Sequence, residues 1–108
     1  MAEFTHAKQI MDRMQVGFKP ERVKGEELVV QYLVSGEKGG DWIITIKEDK
    51  FTLEEGVAPE PEVTCKVPDQ VLLAVANGKM NGMQAVLTGK MKIIGNLAKM
   101  QKLQKWTT

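Results

Sequence analysis

The stretch "LVVQYLVSGEKGGDWIITIKEDKFTLEE", residues 28–55, contains three short runs with the spacing of β-strands. Every second residue is apolar in "LVVQYLV", in "DWIITIK" and in "KFTL". This period of two is typical of strands that bury one face. The connections "SGEKGG" and "ED" are short enough to be hairpins, so the stretch predicts three antiparallel strands.

Two further strands are predicted downstream. "VTCKV" places Val63, Cys65 and Val67 on an inward face, after a loop "GVAPEPE" whose prolines lack the donors that a central strand needs. "KMKII", residues 90–94, alternates Met91 and Ile93 against two lysines and predicts a short fifth strand. The sequence therefore contains five candidate strands.

Helical spacing surrounds these strands. Apolar residues at steps of three and four predict a helix over residues 4–16, and a second helix of about ten residues opens at Pro68 and ends at "NG". Asn81 caps a short helix "GMQAVL", and "NLAKMQKLQKW" forms a last amphipathic helix. We expect an α+β fold, with a five-stranded, mostly antiparallel sheet and helices covering one face.

Composition limits the possible functions. The 108 residues suit one domain, which we expect to span residues 1–108, and the sequence has neither a signal peptide nor an apolar run long enough to cross a bilayer. We therefore expect a soluble cytoplasmic protein. Charge is segregated, because residues 1–78 hold nine Lys/Arg and fourteen Asp/Glu, whereas residues 79–108 hold six Lys and no acid. Either the basic segment is simply a solvated, lysine-rich face, or its positive charge attracts anionic surfaces.

Few residues are candidates for chemistry. His6 is the one histidine and Cys65 the one cysteine, so a triad or a metal site has little to be built from. The Gly-Lys pairs lack the spacing of a phosphate loop, and the basic segment offers nucleic acid a single aromatic, Trp106. We therefore predict no catalytic residue, no metal, no cofactor and no nucleic-acid partner.

Seven methionines are a positive signal. Several fall on predicted apolar faces, and methionine is flexible and polarisable enough to line sites that accept varied apolar shapes. Ordinary filling of the core explains the same pattern. Both interpretations stay open on composition alone.

The stretches "VVQYLVSGEKGGDWIITIKEDKFTLEEG" and "VPDQVLLAVANGKMNGMQAVLTGKMKIIGNLAKMQKLQ" resemble the sterol carrier protein type 2 family of small lipid-transfer domains, from Val29 to Gln104. The resemblance implies that the sheet and helices enclose an apolar tunnel for fatty acids, acyl-CoA esters or sterols, without a catalytic residue. By position it assigns lipid-binding roles to Met80, Met83, Leu87, Met91, Ile93, Leu97, Met100 and Leu103.

The resulting expectation is non-catalytic binding and transfer of apolar lipids. Lys99, Lys102 and Lys105 would meet anionic headgroups while Trp106 sits at the membrane interface, or these lysines would bind the phosphates of acyl-CoA. The alternative is an accessory or dimerisation domain that presents an apolar groove to a partner enzyme.

Overall fold

The computed structural model describes residues 3–107, which form a five-stranded sheet in the order β3-β2-β1-β4-β5. The strands are β1 (Leu28–Ser35), β2 (Gly40–Lys47), β3 (Lys50–Glu55), β4 (Val63–Pro68) and β5 (Lys92–Gly95). The helices are α1 (Ala7–Gly17), α2 (Asp69–Ala76), α3 (Gly82–Leu87) and α4 (Leu97–Thr107), with a 3₁₀ turn at Pro20–Arg22.

Strand pairing confirms the predicted α+β class. β1 pairs with β2, β2 with β3 and β4 with β5 in antiparallel fashion, whereas β1 and β4 are parallel. The even-numbered residues of β1, and Trp42, Ile44 and Ile46 of β2, are buried beneath the helices. Residues from all four helices join them in one hydrophobic core.

Three predicted boundaries were wrong. The first helix begins at Ala7 rather than residue 4, because the side chain of Asn77 pairs with both backbone groups of Phe4 in an extended segment. Pro68 ends β4 instead of opening α2. The fifth strand covers Lys92–Gly95, so it starts two residues later than predicted.

Gln31 is a buried polar residue in the middle of the sheet, on the face opposite the helices. Its Nε2 donates to the carbonyls of Trp42 and Gly56, each at 3.0 Å, and its Oε1 accepts from the N–H of Ala58 at 2.7 Å. Gly56 and Ala58 belong to the connection that runs from β3 to β4 across two strands. Gln31 therefore holds this crossover against the open face of the sheet.

Replacing Gln31 with Leu should lower the free energy of unfolding by about 1–3 kcal/mol, because the N–H of Ala58 and the carbonyl of Gly56 lose their buried partner. Urea denaturation measures the change. Gln70→Leu, at an exposed helical glutamine, is the matched control and should stay within about 0.5 kcal/mol of the original protein. Equal effects of the two substitutions would contradict the role given to Gln31.

Candidate functional site

A cavity of about 450 Å³ lies between the helices and the sheet. Its wall combines residues from three strands, three helices and the segments just before α3 and β5. The lining residues are Tyr32, Cys65, Leu72, Val75, Asn81, Gly82, Met83, Val86, Met91, Ile93, Leu97, Met100, Gln101 and Gln104. This volume falls within the range of about 300–1,000 Å³ that is usual for ligand sites.

Strand register builds the floor of the cavity. Tyr32 lies opposite Cys65, and Cys65 lies opposite Ile93, so neighbouring strands place these three side chains in one row. Because side chains alternate along a strand, all three point to the helix side. The floor is thus one continuous row across β1, β4 and β5.

Both ends of α2 are fixed, which holds one side wall in place. At its start, the Asp69 carboxylate accepts from the backbone N–H of Lys38 at 3.0 Å and from that of Gln70 at 2.8 Å. At its end, Asn77 bonds to the backbone of Phe4. Leu72 and Val75 of this helix therefore face the cavity from a constrained position.

The second wall, α3, begins with the predicted cap, because Asn81 Oδ1 accepts from the N–H of Gln84 at 3.1 Å. This short helix contributes Met83 and Val86. Met83 is 42% exposed, and Asn81, Gln101 and Gln104 are exposed as well, so the cavity has a rim that solvent reaches.

The lining contains no Asp, Glu, Lys, Arg or His. Burial raises the pKa of the Cys65 thiol to about 12, and burial, with a smaller electrostatic contribution from Cys65, raises the pKa of Tyr32 above its usual value. Both groups therefore stay protonated and neutral near pH 7. A protonated, buried thiol is a poor nucleophile, so the cavity is chemically suited to binding rather than to covalent chemistry.

The predicted lipid-binding residues divide into two groups. Met83, Met91, Ile93, Leu97 and Met100 all line the cavity. Three others do not. Met80 is half-buried against the core, Leu103 is fully buried within it, and Leu87 is 77% exposed.

Several lining residues were missing from the sequence prediction. Tyr32, Cys65, Leu72, Val75 and Val86 complete the apolar wall. Their positions on predicted inward faces of strands and helices indicated burial. Such a position does not distinguish a side chain packed in the core from one that lines a cavity. The rim amides of Asn81, Gln101 and Gln104 gave no signal in the sequence.

Trp106 is 7% exposed, which differs from its predicted place at a membrane interface. It follows Leu103 by three residues and therefore shares the buried stripe of α4. Its carbonyl also accepts from the N–H of Lys19 at 2.9 Å. The prediction of an interfacial Trp106 does not fit this packing.

The predicted docking lysines lie in different surroundings. Lys99 pairs with Glu62 at 3.4 Å and Lys102 with Glu26 at 3.6 Å. Lys105 forms no ion pair with any residue between Glu3 and Thr107. Two of the three lysines are thus already matched by acids of this chain.

Residues 3–107 contain no group of three or more His, Cys, Asp and Glu side chains that could hold a metal ion. Over the same residues, no helix is long and apolar enough to cross a membrane.

Residues 7–107 match the SCP-2 sterol transfer family. Among curated proteins, sterol carrier protein 2 from Oryctolagus cuniculus is 35% identical over 69 residues, covering 64% of this chain. Hydroxysteroid dehydrogenase-like protein 2 from Xenopus laevis is 30% identical over 86 residues, covering 79% of this chain. The matched segments make up 13% and 21% of these two relatives, which are much longer proteins.

Solved structures show the same fold. A palmitated sterol carrier protein 2 like 2 from Aedes aegypti superposes with a TM-score of 0.75 at 23% identity, over 94% of this chain and 93% of that one. A sec-alkylsulfatase from a Pseudomonas species superposes with a TM-score of 0.81 at 18% identity, over 95% of this chain and 16% of the enzyme. At such identities the likeness concerns the fold alone. With the family match over nearly its whole length, the chain belongs to the SCP-2 sterol transfer family.

Proposed function

We propose that this protein binds apolar lipids in the cavity and transfers them between membranes without catalysing a reaction. The observation that supports this most is a ligand-sized cavity whose wall is mainly apolar and free of charged residues. The palmitated relative from Aedes aegypti supports the choice of long-chain lipids as the ligand class.

Apolar burial is enough to retain a lipid. About twelve buried methylenes yield roughly 10 kcal/mol, at about 0.8 kcal/mol each. Association costs at least about 4 kcal/mol, so at most about 6 kcal/mol remains, which corresponds to a dissociation constant of roughly tens of micromolar or weaker. A carrier must release its cargo, so binding of this strength suits transfer.

Filling the cavity should abolish cargo binding. Val86→Trp places a large ring in the wall and should weaken binding of a fluorescent long-chain lipid at least tenfold, while the free energy of unfolding changes by no more than about 1–3 kcal/mol. Val57→Trp, at an exposed loop position away from the cavity, is the matched control and should bind normally. Fluorescence titration and thermal melts of both variants provide the measurements.

If folded Val86→Trp binds the lipid as tightly as Val57→Trp does, the cavity is not the binding site. If the original protein binds no long-chain lipid at all, the carrier proposal itself is wrong.

For membrane contact we infer a surface formed by Met83, Leu87 and Leu97, here called the apolar rim. Met83 and Leu97 line the cavity and are 42% and 37% exposed, and Leu87 lies four residues after Met83 on the same side of α3. Exposed apolar groups beside a ligand opening suit contact with a lipid bilayer.

Charge near the apolar rim favours an anionic bilayer. Lys90 lies three residues after Leu87, is exposed, and forms no ion pair among residues 3–107. Each unpaired lysine near an anionic surface contributes about 1 kcal/mol. Lys99 and Lys102 already have carboxylate partners and are therefore weaker candidates than Lys90 and Lys105.

Vesicle sedimentation tests the apolar rim. Leu87→Gln should lower binding to phosphatidylserine-containing vesicles about tenfold, since a mostly exposed leucine would be buried in the bilayer surface. Val57→Gln, with a similarly exposed aliphatic residue elsewhere, should bind as the original protein does. Binding that survives Leu87→Gln, or that falls equally in the control, would refute this docking surface.

A second function has specific support, because the same fold forms a small part of longer proteins, including a hydroxysteroid dehydrogenase-like protein and an alkylsulfatase. In this alternative the chain is an accessory or dimerisation domain, and the apolar rim contacts a partner enzyme or a second copy. Light scattering combined with lipid titration discriminates the two functions: an obligate dimer that takes up no lipid supports the alternative.

A further inference from the structure

Tyr32 contributes the one hydroxyl group among the residues that line the cavity. Tyr32 is 6% exposed, lies at the centre of β1, and lines the cavity beside Cys65. Among residues 3–107, the one hydrogen bond recorded for this hydroxyl is donated to the thioether sulfur of Met100, at 3.6 Å. A thioether is a weak acceptor, so the hydroxyl is only poorly satisfied.

Met100 also lines the cavity, and its side chain is flexible. A ligand oxygen that reached Tyr32 would replace a weak sulfur acceptor with a stronger oxygen acceptor. The exchange is favourable only for an uncharged oxygen, because the lining offers no cation to a carboxylate or phosphate, and burying an unpaired anion is very costly. Alcohol, ester, ether and ketone oxygens meet this requirement.

The polar groups at the solvent-exposed edge of the cavity differ from the buried hydroxyl at its floor. Asn81, Gln101 and Gln104 are exposed amides that can hydrogen-bond to a charged headgroup while water still solvates it. A fatty acid therefore places its carboxylate at the rim and only its chain inside. The two ends of the cavity thus accept different parts of a lipid.

We propose that Tyr32 is a specificity-determining residue that donates a hydrogen bond to an uncharged oxygen on the buried end of the cargo. The preferred ligand class is accordingly a lipid with a neutral oxygen function, such as a long-chain or sterol-like alcohol or an ester. This inference rests on the proposed carrier function and adds a chemical class to it.

The test compares 1-tetradecanol, tetradecane and myristate as competitors of a fluorescent lipid. In Tyr32→Phe, which removes only the hydroxyl, tetradecanol should bind about 2- to 10-fold more weakly, as expected for one net hydrogen bond. Tetradecane and myristate should be unaffected, because neither places an uncharged oxygen at the floor.

Met100→Leu should change the affinity for tetradecanol in the opposite direction. It removes the sulfur acceptor at similar volume and leaves the hydroxyl free, so the affinity for tetradecanol relative to that for tetradecane should rise about 2- to 5-fold. This variant also guards against a general loss of structure, since instability would weaken all three ligands.

Equal losses for tetradecanol, tetradecane and myristate in Tyr32→Phe would overturn the inference and leave the carrier function standing. Tetradecanol binding that is unchanged in both variants would overturn it as well. Failure of all three ligands to bind the original protein would instead overturn the carrier function, so the two failures are distinguishable.

Discussion

The parallel pairing of β1 with β4 requires a connection that crosses the sheet. The face on which this connection runs determines which face remains for the helices and the cavity. Gln31 fixes that path on the open face through hydrogen bonds to Gly56 and Ala58. The opposite face of the sheet is then left to the helices. Because α2 and α3 are only eight and six residues long, they cover this face without filling it. The cavity is the space that remains.

The chemistry of this space follows from what lines it. A mainly apolar wall without charged residues, with a neutral thiol and a neutral phenol at its floor, excludes water from a hydrocarbon chain. Affinity then comes mainly from buried area, and the few polar atoms set orientation. Asn81 at the solvent-exposed edge and Tyr32 at the floor are placed to hydrogen-bond to different parts of such a lipid.

The sequence predicted the sheet well because strand alternation and hairpin lengths are local signals. It did not reveal the role of Gln31, since this residue occupies a position on the solvent side of an alternating pattern and is buried only by a distant loop. Trp106 was misplaced for a related reason. Its spacing from Leu103 indicated the buried stripe, but its position near basic residues suggested a surface. Cavity residues such as Leu72 resemble core residues in sequence, because both face inward.

Lipid bound in the cavity would lie beside Met83 of α3, Met100 of α4 and Met91, which precedes β5. The most direct test is a lipid titration followed by ¹³C-methyl methionine NMR. Met83, Met91 and Met100 line the cavity, whereas Met11 and Met14 of α1 do not and serve as internal references. We expect the methyl signals of Met83, Met91 and Met100 to shift until the cavity is saturated, while those of Met11 and Met14 stay fixed. Shifts of equal size at Met11 and Met14, or none at the three cavity methionines, would contradict it.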